Sequence, residues 1–193
     1  MVGSKRERLK EIIKKRALIV RNKTEIVLAS GLKTNFFFDM KAVLLYPESA
    51  NLITDAILKK LLEEKIQFDY LGGMESGSVP IISLVCANST AILGRNIEGF
   101  YMRKKEKDHG ARKSKIEGNL KSGARVVIVD DVTTTGSSII EVVNEVEKAG
   151  CKVVKVMSIV DRCQGAKEFI LAKQELELDA LFTAEEFGLL NKD

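Results

Sequence analysis

The run Val126-Val127-Ile128-Val129 constrains the fold more than any other stretch of this chain. Four consecutive apolar residues, three of them valines and all β-branched, favour extended backbone, and they leave no polar face for water. A strand of that kind needs cover on both sides, which parallel sheets in α/β proteins provide. Two carboxylates, Asp130 and Asp131, follow at once, and then Val132-Thr133-Thr134-Thr135-Gly136-Ser137-Ser138 leads into a helical pattern. The strand is expected to stop at the carboxylates. In an open parallel sheet that carboxyl end is where ligands bind.

The rest of the chain fits that frame. Leu9, Ile12, Ile13 and Ala17 recur at helical spacing, and short strands are expected over 26–28 and 36–38, separated by Ser30-Gly31. Pro47-Glu48 opens a helix with Leu52, Ile53, Ala56, Ile57 and Leu61 on one side. A strand at Tyr70-Leu71 ends at Gly72-Gly73, and a buried helix follows over 80–87. Further strands are expected over 91–93, 100–102, 125–129, 153–160 and 178–182, with helices over 137–149 and 166–173. The alternation predicts an α/β fold with a mainly parallel central sheet flanked by helices. With 193 residues and no internal repeat or linker, one domain is expected: an N-terminal helix and small cap over about 1–45, and a core over about 46–193.

Composition narrows the function. No apolar run is long enough to span a bilayer, so no membrane partner is expected. The three cysteines lack metal-ligand spacing and read as reduced thiols of a cytoplasmic protein. Net charge is +4, yet residues 103–115 hold seven lysines and arginines against two carboxylates, a local excess of five. The basic excess therefore sits in one loop. That suits a small polyanion better than nucleic acid, which usually meets a basic face.

The turn after the carboxylates supplies the complementary chemistry. Backbone N–H groups around Thr133, Thr134, Thr135, Gly136, Ser137 and Ser138, together with a helix start, make a cradle for phosphate. Gly136 permits close approach, and the hydroxyls add donors without charge. Asp130 and Asp131 repel phosphate; they suit ribose hydroxyls, or a magnesium ion shared with the ligand. A simple helix cap is the competing reading of an Asp-Thr pair, but it leaves the rest of the stretch unexplained. A P-loop is excluded because the turn has no lysine, and Gly72-Gly73-Met74-Glu75-Ser76-Gly77 lacks dinucleotide-binding spacing. That second glycine-rich turn is a candidate for facing a pyrophosphate.

These residues resemble the phosphoribosyl-pyrophosphate motif of type I phosphoribosyltransferases, and other stretches are similar to orotate phosphoribosyltransferases in particular. Residues 101–110, Tyr-Met-Arg-Lys-Lys-Glu-Lys-Asp-His-Gly, resemble that family's catalytic loop, and Ile116-Glu117-Gly118 its exit. Ser30-Gly31 through Phe36-Phe37-Phe38-Asp39 resembles its N-terminal substrate segment, and Asp161-Arg162 its base-recognition position. The fold implied is the type I phosphoribosyltransferase fold with an N-terminal cap, or hood.

The resemblance implies transfer of ribose 5-phosphate from phosphoribosyl pyrophosphate to orotate, with magnesium (Mg2+) accompanying the pyrophosphate. Lys107, His109 and Asp131 are the implied catalytic residues, His109 as a leaving-group contact. Arg103 and Lys104 are implied at the pyrophosphate, Asp130 at the ribose, and the residues from Thr133 to Ser138 at the 5-phosphate. Arg162 is implied at the orotate carboxylate, where a guanidinium fork binds bidentately. Backbone groups of Phe37 and Phe38 are implied at the pyrimidine edge. A homodimer is implied, its 103–118 loop reaching the neighbouring site. The chain departs from many members at Ala29 and Gly77, where they carry lysine. Another base as acceptor, or a sensor that binds without turnover, are the competing functions; the loop cations argue against the sensor.

Overall fold

A computed structural model describes residues 2–21, 26–27, 31, 33–105 and 115–189. In chain order the elements are α1 (Val2–Arg16), β1 (Leu18–Val20), β2 (Ile26–Val27), β3 (Lys33–Thr34), β4 (Phe36–Phe38), α2 (Lys41–Leu44), α3 (Pro47–Glu63), β5 (Tyr70–Met74), α4 (Ser78–Leu93) and β6 (Glu98–Met102). They continue with β7 (Ile116–Gly118), β8 (Arg125–Thr133), α5 (Ser137–Lys148), β9 (Lys152–Asp161), α6 (Ala166–Gln174), β10 (Leu178–Thr183) and a 3-10 turn (Ala184–Phe187). The central sheet has six strands in the order β10-β9-β8-β5-β6-β7. All its neighbours are parallel except β6 and β7, which form an antiparallel edge pair.

The β-branched run behaves as its composition demands. Val127 and Val129 join a core cluster with α1, α3 and α4, while Val126 and Ile128 join a second cluster with α5 and α6. None of the four is more than 2% exposed. At about 1.5–3 kcal/mol per buried aliphatic side chain, this run alone accounts for a substantial part of the sheet's cohesion. It also explains why β8 lies inside the sheet rather than at an edge.

The N-terminal segment forms a cap from two small antiparallel ribbons, β1 with β4 and β2 with β3. Phe36 and Phe38 point inward and Phe37 outward, the alternation of a strand with one covered face. Helix α1 ties this cap to the core. Arg8 pairs with Glu48 at 2.7 Å and Arg6 with Glu186 at 2.7 Å. Arg6 also lies over the Phe182 ring, 4.5 Å from its centroid.

Three expectations need correction. Residues 91–93 are not a strand; they finish α4, which ends on Gly94 at φ +69°. Their apolar character is that of a continuing buried helix, which a three-residue window cannot distinguish from a strand. Gly72 and Gly73 are not a turn but the middle of β5. A Cβ at Gly72 would lie 2.1 Å from the Phe100 ring, so bare backbone lets β6 pack its aromatic against the sheet. Finally, β8 does not stop at Asp130-Asp131. Its pairing with β9 continues to Thr133↔Asp161. Among the described residues, no helix is long and apolar enough to cross a membrane.

Candidate active site

Beyond the carboxyl ends of β5, β8 and β9 lies a crevice of about 650 Å³. Of the residues singled out in the sequence, it brings together Phe37, Phe38, Lys104, Asp130, Asp131, Thr133, Thr134, Thr135, Gly136, Ser137, Ser138 and Arg162. A smaller recess of about 210 Å³ opens off the same carboxylate pair, between it and the turn of Glu75, Ser76 and Gly77. Arg103 lines neither; its guanidinium lies 3.6 Å from the Glu117 carboxylate. Lys107 and His109 fall outside the described residues.

The continued β8–β9 ladder puts the carboxylates into partly buried strand positions. The Asp131 N–H donates to Asp130 Oδ1 at 3.1 Å, and the Val132 N–H donates to Asp131 Oδ1 at 2.9 Å. Loss of solvent raises the Asp130 carboxyl well above the usual range, and the neighbouring Asp131 charge raises it further. Burial also raises Asp131, opposed by the Val132 N–H and by the charge of Lys41. The pair is therefore a set of poorly solvated acceptors, suited to hydroxyl donors.

The turn beyond leads directly into the start of α5. Gly136 takes φ +81° and caps α5, and a side chain there would meet Ile170 at 2.9 Å. Only a glycine satisfies both conditions. Helix α5 starts at Ser137, so its first N–H groups open into the crevice with the partial positive charge of a helix start. The Thr135 and Ser137 hydroxyls lie 3.0 Å apart. Thr133 is 1% exposed, and its hydroxyl oxygen has no hydrogen-bond partner among the described residues. A buried hydroxyl left in that state costs about 1–3 kcal/mol, and a ligand oxygen could satisfy it.

Arg162 closes the far wall. It is 1% exposed, its backbone N–H donates to the Thr133 carbonyl at 2.9 Å, and burial pulls its guanidinium pKa down to about 10. The guanidinium donates to Thr34 Oγ1 at 2.9 Å, to the Phe36 carbonyl at 3.3 Å and to Gln164 Oε1 at 3.1 Å. It also stacks 4.0 Å from the Phe36 ring centroid. The expected recognition arginine is thus also the bolt that fastens the hood to the core.

The root of the basic loop is fixed beside the recess. Met102 pairs with Ile116, the Arg103 N–H donates to the Lys115 carbonyl at 2.9 Å, and the Lys104 N–H donates to Glu75 Oε1 at 2.9 Å. Sequence reasoning missed Lys41 and Glu141 as neighbours of these cavities and Thr34 as a partner of Arg162. Glu141 carried a usable signal, because it lies one helical turn beyond Ser137 and Ser138 on α5. Lys41 carried none, since only the folding of the hood onto the core brings it there.

Comparison with known proteins agrees with this geometry. The phosphoribosyl transferase domain family matches residues 40–176. An orotate phosphoribosyltransferase of Rhodopseudomonas palustris (strain TIE-1) is 41% identical over 189 residues, covering 96% of this chain and 97% of its own. One from Methanocaldococcus jannaschii is 42% identical over 162 residues, covering 84% of this chain and 86% of its own. The crystal structure of Mycobacterium tuberculosis H37Rv orotate phosphoribosyltransferase with 5-phospho-alpha-D-ribosyl 1-diphosphate superposes with a TM-score of 0.74 at 26% identity, covering 97% of this chain and 94% of that one. With a carboxylate pair, an anion cup and a basic loop root around one crevice, and near-full-length likeness to these enzymes, the chain belongs to the orotate phosphoribosyltransferase family.

Proposed function

We propose that this chain transfers the 5-phosphoribosyl group of phosphoribosyl pyrophosphate to N1 of orotate, giving orotidine 5′-monophosphate and pyrophosphate for pyrimidine synthesis. The observation that carries it is the juxtaposition of the poorly solvated Asp130-Asp131 pair with the cup from Thr133 to Ser138 in one crevice. The cup takes the 5-phosphate, and the Thr133 hydroxyl, which has no partner among the described residues, gains one. The carboxylates accept hydrogen bonds from the ribose hydroxyls. The crevice wall of Phe37, Phe38 and Arg162 takes the base, with the Arg162 guanidinium towards the orotate carboxylate.

In the reaction the C1′–O bond breaks and its electron pair leaves with pyrophosphate, while orotate, having lost its N1 proton to solvent, forms the new C1′–N bond with the electron pair that the N1–H bond held. Positive charge grows on the ribose and negative charge on the leaving group, so fixed charges and positioning supply most of the acceleration. Asp131 stabilises the sugar side. Lys104, Arg103 and the loop residues Lys107 and His109 stabilise the leaving side. Arg103 must leave Glu117 to take this role. Among the described residues no group of three or more metal-ligating side chains is assembled. The carboxylates and Glu75 around the recess are hard oxygen donors, which fits a magnesium ion carried mainly by substrate oxygens. Bound there, magnesium would neutralise leaving-group charge.

We also propose a homodimer. Helix α4 has no charged residue from Ser78 to Leu93, and its half-buried and exposed positions include Val79, Leu84 and Ala87. An uncharged outer helix face suits burial against a second copy. The free cysteines support a cytoplasmic setting.

Purified protein with magnesium and phosphoribosyl pyrophosphate is expected to consume orotate in preference to other bases in a panel; turnover of a different base alone would refute the assignment. Lys107→Ala should lower turnover much more than donor affinity, and an unchanged turnover number removes its role. Asp130 has the opposite signature, in stability. Its carboxyl binds a proton more tightly folded than unfolded, so its contribution is largest below the usual carboxylate range and is lost as pH rises towards the raised value. Asp130→Asn should therefore raise the ligand-free unfolding midpoint at neutral pH, flatten its decline with pH, and weaken donor binding. A neutral-pH midpoint at or below that of the wild type contradicts the burial argument. Ala87→Glu should convert a sedimenting dimer to a monomer; a wild-type monomer at assay concentration excludes the dimer.

A further inference from the structure

The small recess beside the carboxylate pair contains a cation that the sequence reading does not assign. Lys41 is the first residue of α2, three positions after β4, and it lines the recess with Glu75, Gly77, Lys104 and Asp131. The residue is exposed, and its ammonium makes no ion pair or hydrogen bond among the described residues. We propose that Lys41 is a substrate-contacting residue, binding the diphosphate of the phosphoribosyl donor as a second cation beside Lys104. The inference rests on the phosphoribosyl-transfer reading and adds to it a residue from the hood–core junction.

Three observations carry it. First, the recess gathers three carboxylates, Glu75, Asp130 and Asp131, against two ammonium groups, Lys41 and Lys104. A polyanion entering there needs both cations. Second, the turn cannot supply another. A Cβ on Gly77 would lie 2.3 Å from Asp131 Oδ1, so that turn offers backbone at its point of closest approach and no side chain. Third, the two lysines divide the carboxylates between them: the charge of Lys104 acts on Asp130 and that of Lys41 on Asp131. A bound diphosphate would meet both ammonium groups beside the carboxylate pair on which their charges already act.

Lys41 also stands close in sequence to Phe37 and Phe38, whose strand lines the crevice. One short segment therefore contributes to the base wall and to the leaving-group recess. Lys41 belongs to the reaction's charge balance rather than to the stability of the hood.

The test is calorimetric titration of inorganic pyrophosphate, with magnesium chloride, into the full chain and into its Lys41→Gln and Lys41→Arg variants. Lys41→Gln should bind pyrophosphate about tenfold more weakly, with a shallower salt dependence, as expected for loss of one charge-assisted contact. Lys41→Arg should keep most of the affinity, and both variants should keep the wild-type unfolding midpoint. Wild-type affinity in Lys41→Gln overturns the proposal and leaves the phosphoribosyl-transfer reading intact. A wild-type chain that binds no pyrophosphate overturns both.

Discussion

The parallel ladder between β8 and β9 does not end where the hydrophobic core ends, and the site depends on that continuation. Its pairing from Asp130↔Ser158 to Thr133↔Asp161 holds two carboxylates in strand geometry, partly out of water. A strand that stopped at Val129 would let both side chains swing into solvent and recover ordinary acidity. The ladder also fixes the start of the anion cup, because Thr133 is the last paired residue before Gly136 turns the chain into α5. The Arg162 N–H donates to the Thr133 carbonyl, so the last rung of the ladder leads into the far wall of the crevice.

This arrangement trades stability for chemistry. Asp130 pays a desolvation cost in the ligand-free protein, the Thr133 hydroxyl has no partner among the described residues, and the recess brings carboxylates together. Each is unfavourable alone; on the proposed reading, ribose hydroxyls and phosphate oxygens supply hydrogen-bond partners for the first two, and the lysines and a magnesium ion offset the charge of the third. The surrounding core offsets these costs through the apolar clusters on both faces of the sheet. Unfavourable groups concentrated at one place are a recurring mark of functional sites.

Much of the framework was legible from local pattern. The run at 126–129 specified a strand covered on both faces, Pro47 marked a helix start, and Phe36–Phe38 marked a short strand. That the residues from Thr133 to Ser138 share one crevice was legible because they are consecutive. Windows failed where the deciding contact was distant. Residues 91–93 resemble a strand until the whole of α4 is seen, and Gly72-Gly73 resembles a turn until the Phe100 ring claims the space. The three-residue strand β7 is defined only by its pairing to β6. Lys41 and Thr34 reach the site through hood docking, which leaves no periodic trace in the chain.

The engagement of Arg162 bears on how base choice could change. The residue proposed to meet the carboxylate of the base is also the one that donates to Thr34 and the Phe36 carbonyl and stacks on the Phe36 ring. A substitution that discarded affinity for an acidic base would at the same time unfasten the hood and leave the Phe36 carbonyl short of a donor, while the Thr34 hydroxyl would keep only the Phe36 N–H. Drift towards a neutral base therefore requires coordinated changes in two segments more than a hundred residues apart in the chain. On the proposed role of Arg162, acceptor preference is in this sense coupled to the attachment of the hood.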